Sequence, residues 1–374
     1  MPHIIDRIAS HKKAIGSFLH AGAARHHCAN PSTSIHLQRI YGSGVLFSGL
    51  ASLVLNKTEI STISQHLRVT LCRLQKLPLN TPDCVVFFMA GSLPAAAILD
   101  LRMLGLLGMI SRLGPSSIIQ QLGRHMLLSK NKKSWFTKLK IICEQYLLPN
   151  PLQVFQNPPS KEAWKRLCKS KVYSFWEVKL RNEASNLSSL RYFHPQFLSL
   201  MQPHRIWTTA DNTYEVKKSV TMAIMLSGRY ITDHRARHWS KTNDKGLCHL
   251  CLAASRSHDS SLSESLVPIG SLEHLLLECP EISQTRERLK LLWMNYTSDK
   301  PLIRKLILGD TDIPSENSLP DIQLLLDPTT CTEIIKAAQE YGSGIYTHIF
   351  YLSRTWCHSL HTRRVKLLKL LNIL

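Results

Sequence analysis

"VVFFMAGSLPAAAILDLRMLGLLGMI", residues 85–110, is apolar over more than the roughly 20 residues a bilayer crossing needs, so its reading decides between a membrane span and a core element. Pro94 divides it, and Asp100 and Arg102 stand two residues apart in its second half, where a helix aims them at different faces. Each such charge costs about 2.5–3.5 kcal/mol near a bilayer centre. The stretch is therefore expected to form a buried helical hairpin and no transmembrane span. Ser92 is the expected N-cap of its second helix, with Pro94 in the first turn, where a missing N–H does no harm.

Working outward, the chain reads as mainly α. Apolar clusters at spacing three and four recur over residues 60–77 (Ile60, Ile63, Leu67, Leu71, Leu74), 286–293 and 363–374, and no sustained period-two alternation interrupts them. Stretches rich in Pro and Gly at 78–82, 149–159 and 309–320 predict loops or linkers, and "SRSHDSSLSES" at 255–265 predicts a flexible loop. A length of 374 residues with 44% hydrophobic composition fits a folded chain with more than one core. Ten cysteines are too sparse for a disulfide scaffold. The isolated ones (Cys28, Cys72, Cys84, Cys143, Cys168, Cys331, Cys357) read as small buried hydrophobes. The first 22 residues carry charge on both sides of Ile15 and no apolar core before a cleavage site, so the expected setting is intracellular, nucleus or cytoplasm, and not secretory.

Charge narrows the partner. Lys and Arg number 46 against 26 Asp and Glu, a formal +20 that calls for a polyanion. Residues 161–192 interleave Lys161, Lys165, Arg166, Lys169, Lys171, Lys179 and Arg181 with rings that include Trp164 and Trp176. Cations beside rings suit single-stranded RNA or DNA, with Trp176 as the stacking residue; the competing reading is a helix with its aromatics in the core and its charges in water. A second basic stretch places Arg229, Arg235, Arg237 and Lys241 immediately before a cysteine pair. Two other readings of the excess remain: a protein partner docked on the apolar 85–110 stretch, and an anionic membrane surface under the acid-free tail 354–374, which also reads as a plain packing helix.

That cysteine pair opens "CHLCLAASRSHDSSLSESLVPIGSLEHLLLEC", residues 248–279. A C-x2-C turn lets Cys248 and Cys251 approach one metal, and His274 and Cys279, five positions apart before Pro280, supply an imidazole and a third thiolate if a short helix or turn carries them. Closed Cys and His sets are structural, so the expected ligand is a structural zinc ion. His249 and His258 are the alternative imidazoles. The order of ligands is the reverse of that in the zinc deaminases.

With "VTMAIMLSGRYITDHRARHW" before it and "PEISQTRERL" after it, this stretch resembles the C-terminal zinc-knuckle region of reverse transcriptases from non-LTR (LINE-type) retrotransposons. Residues 34–113, with "LCRLQKLPLNT" and the apolar stretch containing Leu93-Pro94, are similar to the helical thumb-like segment after the polymerase palm in that family. The resemblance covers roughly residues 10–293. Together with the composition, it leads to an expected division into a helical thumb-like region at 1–148, a basic helical linker at 149–240, a CCHC zinc-knuckle module at 241–295 and, beyond the resemblance, a helical tail at 296–374. It also implies that Cys248, Cys251, His274 and Cys279 hold zinc, with the basic residues around them contacting RNA or DNA. The gap between Cys251 and His274 is longer than the family's. The family's Asp-Asp polymerase pair occurs nowhere in the sequence, so the expectation is a nucleic-acid-binding remnant of such an enzyme, without polymerase activity of its own.

Overall fold

The computed structural model describes residues 2–18, 30–114, 116–128, 131, 134–237, 245–258, 267–301, 303–304 and 321–373. The architecture is mainly α: the described residues contain no strand, only one isolated antiparallel bridge between Leu247 and Ile269. The chain gathers into two compact units. The first comprises Met1–Gln75, Asp83–Asn186 and Leu198–His204; the second comprises Lys76–Pro82, Leu187–Phe197 and Arg205–Leu374. These units do not coincide with the four expected regions, since the basic linker is split and the knuckle shares a unit with the tail.

The first unit holds α1 (Pro2–Phe18), α2 (Pro31–Leu37), α3 (Ser43–Leu46), α4 (Lys57–Gln75), α5 (Asp83–Ala90), α6 (Ala95–Ser111), α7 (Ile118–Leu128), α8 (Trp135–Gln145), α9 (Pro151–Gln156) and α10 (Lys161–Ser185). A reciprocal capping box starts α4: the Glu59 N–H donates to Asn56 Oδ1 at 2.9 Å, and the Asn56 N–H donates to Glu59 Oε2 at 2.9 Å. Its stripe of Ile63, Leu67, Leu71 and Leu74 is buried as the spacing predicts, each side chain contributing about 1.5–3 kcal/mol relative to exposure.

The apolar stretch forms α5 and α6, bent by 56° at the break rather than folded back as a hairpin. Pro94, not Ser92, is the N-cap of α6, and the Ser92 N–H instead donates to the Phe87 carbonyl at 3.0 Å. Gly91 makes the bend possible: its φ of +58° favours glycine, and a Cβ there would meet the Gln202 backbone at 2.1 Å. No single helix among the described residues is long and apolar enough to cross a membrane. Every residue from Cys84 to Ala90 is buried, which removes α5 as a docking surface. Asp100 accepts from the Tyr146 hydroxyl at 2.7 Å and Arg102 donates to the Ser43 carbonyl at 3.0 Å, so the two charges do face different ways.

On α10 the residues Trp164, Cys168, Val172, Trp176, Leu180 and Ala184 form a buried stripe at spacing four. Gly108 lets α10 lie close on α6, because a Cβ there would meet the Trp164 ring at 2.2 Å, and the Trp164 indole N–H donates to the Leu104 carbonyl at 2.8 Å. The expected loop at 149–159 contains α9, whose Asn150 N-cap and Gln153 satisfy each other's backbone donors ahead of a proline at N1.

The second unit holds α11 (Arg205–Thr208), α12 (Thr213–Leu226), α13 (Asp233–Ala236), α14 (His249–His258), α15 (Ser283–Thr297), α16 (Ile322–Leu326), α17 (Thr332–Tyr341) and α18 (Gly344–Leu370). The expected loop at 255–265 begins as the end of α14; residues 259–266 and 309–320 lie outside the described residues, as does Cys28. Buried Arg354 fastens α18 to α12. It pairs with Glu215 at 2.6 Å and donates to the Thr209 hydroxyl and carbonyl at 3.0 and 2.8 Å, while Lys218 reaches the other Glu215 oxygen at 2.9 Å. With Arg364 paired to Asp233 at 2.7 Å, two cations of the tail point into the protein.

His11 bridges His66 (2.8 Å) and Gln38 (2.9 Å) in the first unit. Burial first, and then the neighbouring His11 charge, hold His66 at about 4, below the ordinary 6.5. The unfolded chain takes up a proton near 6.5 that the folded chain refuses until about 4, so this contribution is complete above pH 6.5 and declines as pH falls toward 4. Urea midpoints are expected to drop across that window, and His66→Gln to reduce the slope; an unchanged slope in the variant would contradict the pairing.

Candidate metal centre

Two backbone devices build the centre within the second unit. The Gly246–Cys248 segment pairs with Pro268–Gly270: the Cys248 N–H donates to the Pro268 carbonyl at 2.8 Å and the Gly270 N–H to the Gly246 carbonyl at 2.9 Å. Cys248 thereby sits just before α14, with Cys251 in the first turn of that helix. Residues His274–Glu278 then form a single π-helical turn, in which the Cys279 N–H reaches back to the His274 carbonyl at 2.7 Å. A five-residue turn is what H-x4-C spacing needs, since it returns Cys279 to the side of His274. Pro280 opens a 3-10 turn, Pro280–Ile282, that leads into α15.

Cys248, Cys251, His274 and Cys279 are all buried, and one ligand atom from each lies within 4.8 Å of the others. The Cys251 and Cys279 sulfurs are 3.8 Å apart, those of Cys248 and Cys279 4.0 Å, and Cys251 Sγ lies 3.4 Å from His274 Nε2. A tetrahedral ion with metal–sulfur bonds of about 2.3 Å and a metal–nitrogen bond of about 2.0–2.1 Å requires S···S edges of about 3.8 Å and S···N edges of about 3.6 Å. The cluster has those dimensions and can hold a metal ion. Its sulfurs are much too far apart for a disulfide.

The four groups perturb one another strongly. Hydrogen bonds with the Cys251 and Cys279 sulfurs draw the Cys248 thiol far below the ordinary range, and the same kind of contact with Cys248 and Cys279 pushes Cys251 up. Burial works against a charged His274, but hydrogen bonds to Cys248 and Cys279 outweigh it and lift the imidazole to about 10. Three buried sulfurs this close ionise together only around a cation.

Outer partners hold the ligands in place. Arg286, buried at 6% exposure, donates to the Leu277 carbonyl at 2.6 Å and also to the Cys279 carbonyl, closing the π turn from α15. The Trp356 indole N–H donates to the Leu276 carbonyl at 3.2 Å, tying the same turn to α18. His274 Nδ1 faces Glu278 Oε2 at 3.4 Å. The sequence alone gives no role to Asp233, Arg286 or Trp356; the basic residue in the helix after Pro280 is the only local signal.

His249, one alternative ligand, is committed elsewhere, with Nδ1 3.2 Å from Asp233 Oδ1 and its backbone N–H donating to Asp233 Oδ2. Burial opposes ionisation of Asp233, but hydrogen bonds from His249 and the Arg364 charge hold its carboxyl below the usual range. The side chain of His258 lies outside the described residues, as does Lys241.

The other expected contact residues divide. Lys161, Lys165, Arg166, Lys169, Lys171 and Lys179 are exposed on α10. Trp176 is not available for stacking: it is 8% exposed, its indole N–H is given to the Tyr146 hydroxyl at 2.9 Å, and Lys179 Nζ covers its ring at 4.3 Å. Arg181 is also structural, donating to the Leu198 carbonyl at 3.1 Å and pairing with Glu177 at 3.4 Å. Arg229, Arg235 and Arg237 are half-buried, and the Arg229 charge adds to burial in lowering Arg235. They belong to the second unit and α10 to the first. Comparison with protein-family models finds no matching family, and neither curated proteins nor solved structures give a match.

Cys279→Ser and His274→Ala are each expected to lose the bound metal equivalent in elemental analysis of purified protein, whereas His249→Ala keeps it. Arg286→Ala, which leaves all four ligands, is expected to weaken metal affinity by about 10–100-fold in a chelator competition. Full metal retention in Cys279→Ser would contradict the four-ligand site.

Proposed function

We propose that this chain is a nucleic-acid-binding protein whose second unit is folded around a structural zinc ion. Three thiolates and one imidazole at tetrahedral spacing favour zinc over hard cations, and a ligand set closed to water suits a structural and not a catalytic ion. The sequence contains no adjacent Asp pair, and no polymerase chemistry is assigned to it. The reading agrees with the resemblance to the C-terminal region of non-LTR reverse transcriptases, where such a region would grip RNA or DNA.

The observation that carries nucleic-acid binding is the exposed basic stretch of α10. Lys161, Lys165, Arg166, Lys169 and Lys171 are exposed there, and among the described residues none has a carboxylate within ion-pair distance. Five exposed cations within eleven residues of one helix, with Glu162 the one acid among them, repel one another, and a polyphosphate relieves the repulsion. Capture is then electrostatic, with phosphates as the main contacts and little base readout.

If about six phosphates of a single strand are neutralised, log affinity is expected to fall against log salt with a slope near −4. Fluorescence anisotropy of a labelled oligonucleotide between 50 and ~200 mM salt reads this directly. A slope near zero would contradict electrostatic capture.

A further inference from the structure

A cleft of about 750 Å3 opens in the first unit between α6 and α10, with Arg39 and Ser43, which follow α2, also lining it. Six cations line it, Arg39, Arg102, Arg112, Lys161, Lys165 and Lys169, and no carboxylate does. Arg39 and Arg102 each give an N–H to a backbone carbonyl, of Gly91 at 2.6 Å and Ser43 at 3.0 Å, which fixes them on the wall without neutralising them. Among the described residues none of the six is in an ion pair. Between the cations the walls are apolar, with Leu93, Ile98, Leu101 and Met109 contributed by α6 and the residues before it.

The pattern selects its ligand. One carboxylate or phosphate head group neutralises one or two charges, whereas six cations call for a chain of anions. Lys161, Lys165 and Lys169 follow one another at spacing four on α10, about 6 Å apart along the helix, so they form a row that successive phosphates of one strand can track. Apolar walls under that row suit flat apolar groups attached at every repeat of the anion, which are unpaired bases; in a duplex the base faces are already stacked.

We propose that this cleft takes unpaired nucleotides of a single-stranded nucleic acid, their bases against the α6 wall and their phosphates along the α10 lysines. The assignment rests on the nucleic-acid-binding function proposed above and adds the strandedness of the ligand and the place where its bases go. Gly105 offers a clean probe. It lies on α6, lines the cleft, and an added Cβ would have nothing within 4 Å, so Gly105→Ala and Gly105→Glu fit the fold.

The test is anisotropy with the full chain and labelled twelve-nucleotide oligo(U), oligo(dT) and a matched duplex at one salt concentration, with circular dichroism to verify that the variants fold. Single strands are expected to bind more tightly than the duplex. Gly105→Glu, which sets a carboxylate among the six cations and blocks the wall, is expected to weaken single-strand binding by about tenfold or more, while Gly105→Ala retains it. Equal loss for oligo(U) and oligo(dT) identifies shared base and phosphate contacts; loss confined to oligo(U) adds contacts to the ribose. Wild-type single-strand affinity in Gly105→Glu overturns the cleft assignment while leaving nucleic-acid binding in place. Absence of binding to every oligonucleotide at low salt overturns both. Binding to phosphatidylserine vesicles in place of oligonucleotides, lost in Gly105→Glu, would make the cleft a lipid site and overturn it as well.

Discussion

Cys279 joins the other three ligands because its backbone N–H turns back five residues to the His274 carbonyl. Everything around the cluster serves that turn. Arg286 closes it from α15 and Trp356 anchors it from α18, while Cys248 is held opposite by the pairing of Gly246–Cys248 with Pro268–Gly270. Three buried thiols and an imidazole at these distances are a poor hydrophobic core, because each buried polar group without a partner costs free energy. Around a divalent ion the same atoms become a crosslink between α14, the π turn and, through Arg286, α15. An ion bound there would tie Cys251 to His274, 23 residues apart in the chain.

The large positive charge resolves into two populations. Arg354, Arg364 and Arg181 are spent inside the fold on Glu215, Asp233 and Glu177, and Arg286 on two backbone carbonyls. Each of these is buried or half-buried with its partner, where loss of one member would leave a charge unpaired in low dielectric. The lysines of α10 and the guanidiniums of the α6–α10 cleft have no such partners, so the charge that remains for an outside ligand is concentrated in the first unit. Net charge alone did not distinguish the two, and only the second population bears on binding.

What could be read from the sequence depended on how local the physics was. The α4 stripe, the reading of residues 85–110 as a core element and each half of the ligand set rest on spacings of two to five residues and on short turns; Cys251 and His274 are 23 residues apart, and joining the two halves drew on the resemblance as well. Asn150 and Gln153 were equally local, yet the prolines at 149, 151, 158 and 159 obscured a proper capping box, and α9 was read as loop. Trp176 and Arg181 were misassigned for a different reason. Rings and cations alternating on one helix fit either a nucleic-acid face or a core stripe, and what decides is Tyr146 and Leu198, which lie 30 and 17 residues away. From sequence Arg354 is one more tail charge, because its carboxylate partner Glu215 is 139 residues distant. The cleft cations Arg39, Arg102 and Arg112 are invisible for the same reason, since the fold brings the turn after α2 against α6.

The most direct measurement is X-ray absorption at the metal edge of the purified full-length chain. Three sulfur scatterers at about 2.3 Å and one nitrogen at about 2.0–2.1 Å around zinc are the expected first shell. A shell dominated by oxygen, or a folded protein that takes up no metal, would contradict a unit organised by Cys248, Cys251, His274 and Cys279.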